Sequence, residues 1–120
     1  VGTRLWDPPD APWADPNSAN VFARELERLK LSIESGKKLG GCVPGGRRTI
    51  ALVHYPPRYS DGRETGAVPL LKEAHAQVCV YGHLHGKDHH YGFQGTADGI
   101  RYYLASVDAI DFKPIPIELG

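Results

Sequence analysis

The sequence has no long apolar run. Its longest unbroken apolar stretches are four residues, such as Ile50–Val53. That excludes a transmembrane helix and the core of a signal peptide. Neither sign of charge is in excess, with 14 basic against 14 acidic residues. A generic nucleic-acid or anionic-membrane binder needs a basic surplus, so both classes are set aside. Cysteine is scarce: Cys42 and Cys79 are the two present. They are too few for a disulfide scaffold and form no Cys-x-x-Cys pair, so the simplest expected compartment is a reducing cytoplasm. There is no repeat or low-complexity tract. The glycine-rich stretch Gly40-Gly41-Cys42-Val43-Pro44-Gly45-Gly46 lacks a following Gly-Lys-Ser/Thr and a preceding strand. It is therefore a flexible connector and not a phosphate loop.

What remains is an ordinary globular composition, 41% hydrophobic and 23% charged over 120 residues. That is room for one domain or a piece of a larger one, with about two-thirds of the unfolded surface available for burial. The chain begins at Val1 and not Met, and the expectation is a fragment, a processed chain or a shortened one. Six histidines are many for this length, and all lie within residues 54–90.

Prolines and tryptophans crowd residues 1–17, including Trp6-Asp7-Pro8-Pro9 and Pro12-Trp13. Proline fixes φ and lacks a donor, so this is an irregular arm whose two indoles need something to pack against. Phe22, Leu26, Leu29 and Ile33 follow at spacings of four, three and four, which predicts a helix over 18–35, stopped by Gly36. Thr49–Val53 reads as a strand buried on both faces. Ala67–Ala76 reads as a helix with Pro69 in its first turn, and Gln77–Tyr81 as a second apolar strand. Tyr91–Gly95 and Ile100–Ala105 flank an Asp98-Gly99 turn, which predicts an antiparallel hairpin. A last strand over Lys113–Glu118 would sit at an edge because of Pro114 and Pro116. Cys79 is expected in the core and Cys42 as an exposed loop thiol.

The strand, helix and strand from Thr49 to Tyr81 make one βαβ unit, so both strands end at the same edge of the sheet. His54 follows the first strand; His83 and His85 follow the second. Ligands of open α/β sheets bind at this carboxyl edge. A lone histidine is usually a surface residue, but three at neighbouring strand ends point to a shared metal site. Flanking Gly82 and Gly86 let the two imidazoles of the second loop diverge, to share one ion or to serve two. Arg58 and Arg63 lie in the loop after His54, where a guanidinium fork suits a phosphate. The plain alternative is solvated loop arginines. Residues 56–66 are either a substrate-facing lid or a long surface loop. His89 and His90 are expected to be solvent-exposed, and His75 to face a helix C-terminal dipole.

Leu52-Val53-His54-Tyr55-Pro56-Pro57 and Val80-Tyr81-Gly82-His83-Leu84-His85-Gly86 resemble the last two motifs of calcineurin-like metallophosphoesterases. The opening Gly2-Thr3-Arg4-Leu5-Trp6, the helix Arg24–Leu31, and the stretch from Arg101–Ser106 to Asp111–Pro114 are similar to a bacterial branch of predicted phosphohydrolases. The resemblance covers nearly the whole chain. It implies a phosphoric ester hydrolase with a binuclear centre of divalent ions, Mn, Fe, Zn or Ni, attacking phosphorus with a metal-bound hydroxide. It also implies a β-sandwich flanked by helices, with His54 and His83 on one ion and His85 on the other.

The family's first three motifs, Asp-x-His, Gly-Asp-x-x-Asp and Gly-Asn-His-Asp/Glu, are not in place here. Asp88-His89-His90 matches Asp-x-His by letters but follows the wrong strand. The fold class expected is therefore α/β with an α+β tail, the C-terminal half of such a sandwich over residues 1–120. Three neutral imidazoles neither compensate a divalent charge nor bridge two ions. The rest of the domain is thus expected from an N-terminal segment, a second chain or a swapped copy. The alternative is a non-catalytic metal-binding or interaction module built on the same half-fold.

Overall fold

The computed structural model describes residues 1–119. In chain order it contains β1 (Gly2–Thr3), α1 (Ser18–Lys38), β2 (Thr49–Val53), α2 (Ala67–Glu73), β3 (Ala76–Tyr81), a 3₁₀ helix (Gly86–Tyr91), β4 (Gly95–Ala97) and β5 (Ile100–Leu104). The five strands form one sheet in the order β1-β2-β3-β5-β4. β1, β2, β3 and β5 run parallel, and only β4 is antiparallel. The chain is thus a mixed α/β structure around a mostly parallel sheet.

The βαβ unit forms as its pattern predicts, with Leu52 level with Val80 in the ladder. The hairpin is tighter than predicted. Asp98 and Gly99 take φ of 53° and 77°, the mirror-image turn that an Asp-Gly pair favours. Residues 86–91 coil into the 3₁₀ helix, which leaves only Gly95–Ala97 to pair with β5. Lys113–Glu118 is not a strand. Pro114 and Pro116 remove alternate donors from it, so it has no ladder to offer even at an edge. The arm is irregular after Thr3, but Gly2–Thr3 adds an edge strand beside β2.

Helix α1 runs past Gly36 to Lys38. Gly36 acts there through close packing: a Cβ would lie 2.8 Å from Cys42 Sγ and 2.9 Å from Val1 Cγ1. The reversal falls instead at Gly40, whose φ is +83°. Cys42 is correspondingly buried, at 2% exposure, and not an exposed thiol. The loop folds back on itself through Arg47 N–H to Gly40 C=O, and Cys42 N–H donates to Thr49 Oγ1 at 3.0 Å. Cys79 sits in the core as expected, and burial pushes its thiol up to about 12.

Both helices cover one face of the sheet. Leu29 and Ile33 of α1 and Ala67 and Leu71 of α2 join Ala51, Cys79, Tyr81, Tyr102 and Leu104 in one cluster. The opposite face carries Ile50, Leu52, Val80 and Tyr103. Leu52 is 60% exposed, and the other three are half-buried. Glu118 and Leu119 reach only the Val78–Arg101 end of that face. An all-parallel stretch of sheet is normally covered on both sides, and this row has less cover than the helix side.

Inside the helix-covered half lies one charged side chain with almost no exposure, Glu25, at 1%. Burial pushes its carboxyl up, but the Thr3 hydroxyl and the Arg28 and Arg4 guanidinium groups outweigh that and hold it below its ordinary value. Thr3 Oγ1 donates at 2.7 Å, Arg28 at 2.8 Å and Arg4 at 3.1 Å. These bonds tie β1 to α1. A group that titrates lower when folded stabilises fully above its unfolded value, here 4.5, and loses that contribution as pH falls through the folded value. Glu25→Gln is therefore expected to cost about 1.5–3 kcal/mol at neutral pH, the range for hydrogen bonds to charged groups. Urea titrations at descending pH should show the difference from wild type shrinking only below pH 4.5.

Candidate metal site at the sheet's carboxyl edge

Four parallel strands deliver their following residues to one edge. The ends are stitched together: Tyr55 N–H donates to Arg4 C=O, Gly82 N–H to His54 C=O at 3.1 Å, and Ala105 N–H to Tyr81 C=O at 2.8 Å. The residues after β1, β2, β3 and β5 therefore meet.

His54 and His83 face each other there, with Nε2 of His54 3.3 Å from Nδ1 of His83. A tetrahedral ion with Zn–N bonds of about 2.0–2.1 Å holds two nitrogens about 3.3–3.4 Å apart. The spacing of this pair fits an ion shared between them. Burial and the neighbouring His54 lower the pKa of His83, against a smaller opposing pull from Asp7. A neutral imidazole is the form a cation binds.

The backbone at His83 is strained. Its φ is +70°, and Leu84 N–H donates to Gly82 C=O at 2.8 Å. A bond from residue i+2 to i around a positive φ is the rarer γ-turn, which is uncommon and costly for a residue with a Cβ. This turn is what separates His83 from His85: the first ring turns toward His54, the second toward the loop after β5. Tyr55 stacks on His83 with centroids 4.0 Å apart, Trp6 lies 4.9 Å from Tyr55, and Arg4 caps Trp6 at 4.8 Å. A four-layer stack thus braces the strained ring from the arm.

His85 is oriented by a carboxylate. Its Nδ1 lies 2.8 Å from Asp108 Oδ1, and Gly86 N–H donates to Asp108 Oδ2 at 2.7 Å. His89 Nε2 lies 3.1 Å from the same Oδ1. The Gly86 N–H first, and then His85 and His89, hold the Asp108 carboxyl far below the usual carboxylate range. A carboxylate on Nδ1 fixes the tautomer and leaves Nε2 of His85 as the nitrogen able to ligate. His89 is half-buried and not solvent-exposed, because it closes this clamp; His90 is exposed as expected. His75 follows the C-cap of α2, where its backbone N–H donates to Lys72 C=O, and its side chain is exposed.

The sequence reading missed Asp108. The parallel β3–β5 pairing is the cause, because it places the chain after Leu104 at the same edge as His83 and His85. A tail read only as an antiparallel hairpin gives no such placement.

The two arginines separate. Arg63 is exposed at the rim and paired with Asp61 at 2.8 Å. Arg58 is 5% exposed: it donates to Gly62 C=O and Asp98, lies 3.8 Å from Glu64, and stacks over Tyr102 at 5.2 Å, while its buried Nε has no hydrogen-bond partner among the described residues. Thr65 Oγ1 donates to Pro57 C=O at 2.7 Å, and Tyr59 OH to Asp10 at 2.9 Å. Residues 56–66 thus form a braced wall.

That wall, the arm and His83 enclose a cleft of about 450 Å³. Among the described residues, no three His, Cys, Asp or Glu side chains converge tightly enough to hold one ion. His54 and His83 fit an ion as a pair, and His85 stands apart with Asp108. Among the described residues, no helix is long and apolar enough to cross a membrane.

Comparisons with protein-family models, curated proteins and solved structures give no match to this chain.

Proposed function

We propose that this chain carries the histidine side of a metal-dependent phosphoric ester hydrolase, in the manner of the metallophosphoesterases its motifs resemble. The observation that carries this reading is the 3.3 Å approach of His54 Nε2 to His83 Nδ1. Two strand ends and a strained turn bring these two ring nitrogens side by side, as a hydrogen bond between the rings or as a pair able to share an ion. His54 and His83 hold one cation; His85, oriented by Asp108, faces a second. Divalent ions held there supply Lewis-acid activation of the phosphate ester. This chain's own contribution is to fix the ligating nitrogens and to wall the cleft beside them.

The reading requires carboxylates from outside residues 1–119. Two neutral imidazoles leave a divalent ion short of ligands and of negative charge. The half-exposed row Ile50, Leu52, Val80 and Tyr103 supports the same view, since a second sheet laid on it completes a sandwich and can bring those carboxylates. A non-catalytic metal-binding module is the second reading, favoured by the shortage of ligands among the described residues.

Calorimetric titration of Zn²⁺ and Mn²⁺ into the chain tests the ligand set. Binding is expected to be lost in His54→Ala and in His83→Ala. Asp108→Asn is expected to weaken the His85 contribution about 10- to 100-fold, the usual cost of losing a carboxylate behind a ligating histidine. Binding unchanged in both histidine variants overturns the proposal. Metal binding without phosphoesterase turnover in the full-length protein selects the module.

A further inference from the structure

Trp6 and Trp13 both lie in the arm, yet only Trp6 is packed. Its indole is held between Arg4 and Tyr55. Trp13 is 60% exposed, although it is fixed in place by donating from Nε1 to Asp7 Oδ1 at 2.8 Å. A large indole that is anchored but uncovered offers a flat face at fixed position. It lines the 450 Å³ cleft together with Tyr59, Tyr91 and His83. Tyr91 is itself 51% exposed. The size suits a small ligand, and the lining combines aromatic rings with the imidazole of His83.

We infer that the cleft is a subsite for a flat ring, with Trp13 as its stacking platform, and that the substrate is a phosphate ester whose organic part carries such a ring. The ester half of this statement rests on the proposed function; the ring half does not. A planar ring gains from stacking on an indole, whatever its heteroatoms. Both a nucleobase and a simple aryl group have this chemistry. The lining carries Asp7, Asp61 and Asp88 beside Arg58 and Arg63, so the cationic alternative, a quaternary ammonium held by aromatic faces, is decided by the test below.

The test is calorimetry together with tryptophan fluorescence on the chain in EDTA, so that ring binding is read without any metal. The probes are adenosine 5′-monophosphate, phenyl phosphate, ribose 5-phosphate and tetramethylammonium. The first two are expected to bind and quench fluorescence, with the nucleotide the tighter if the natural ring is a base. Trp13→Ala is expected to weaken both about 5- to 100-fold, the range for losing one aromatic stacking partner, while Trp13→Phe retains most of the affinity. Trp13 is exposed, so neither variant threatens the fold; a coincident urea transition confirms that. Ribose 5-phosphate or tetramethylammonium binding as tightly as the ring-bearing probes overturns the proposal, as does ring affinity unchanged in Trp13→Ala. Because metal is absent, failure here leaves the metal titration untouched, and failure of the metal titration leaves this result standing.

Discussion

Metal-dependent hydrolysis of phosphate esters by the full-length protein is expected to fall to background in His83→Ala, by at least about 10²–10³-fold, the scale of removing one group that stabilises transition-state charge. On the proposed function the loss lies in kcat, since His83 would act on the reacting phosphate through an ion and not on the organic part of the substrate. His90→Ala is the matched control. His90 is exposed and bonds only the backbone carbonyl of Lys87 and the ring of Tyr91, so its rate should stay at wild type. Steady-state kinetics with Mn²⁺ or Zn²⁺ on both variants decides the matter. Wild-type turnover in His83→Ala ends the proposed function.

A second large effect concerns stability. Tyr102→Ala is expected to destabilise the fold by about 3–5 kcal/mol, the usual cost of deleting a buried aromatic ring. Tyr102 is 1% exposed and heads the fully buried side chains by size. Phe93 packs edge-on against it with centroids 5.6 Å apart, and Arg58 lies across it at 5.2 Å. Removal leaves a cavity between β3 and the wall of the cleft. It also strips the buried guanidinium of the ring it lies on, while Arg58 keeps its bonds to Asp98 and Gly62. Small domains have a total margin of about 5–15 kcal/mol, so a urea midpoint should drop sharply at unchanged slope. A loss under about 1 kcal/mol would mean that the core collapses around the vacancy and that the wall does not depend on it.

The legible part of the fold is the part whose physics is local or periodic. The stripe of Phe22, Leu29 and Ile33 predicts α1, and the apolar runs at β2 and β3 predict parallel strands with their histidines at one edge. The Asp98-Gly99 pair predicts the turn. What the sequence hides is pairing at a distance. Nothing in Ile100–Leu104 says that β5 lies parallel to β3, and without that Asp108 has no reason to meet His85. The burial of Cys42 depends on Gly36 admitting it, a contact between residues on either side of a reversal. Arg58 reads as a loop cation because its partners, Asp98 and Tyr102, are some forty residues away. The apolar count of β2 and β3 predicts cover on both faces, and the helices supply it on one.

The turn at residue 83 has a consequence for how the site persists. Glycine adopts a φ of +70° without a clash, whereas a side chain there is held in tension. Glycine at this position would release the tension but would also remove the ring on which Tyr55 stacks at 4.0 Å and which faces His54. Backbone ease and side-chain packing therefore oppose each other at residue 83, and His83→Gly would trade one for the other while leaving the sheet ladder untouched.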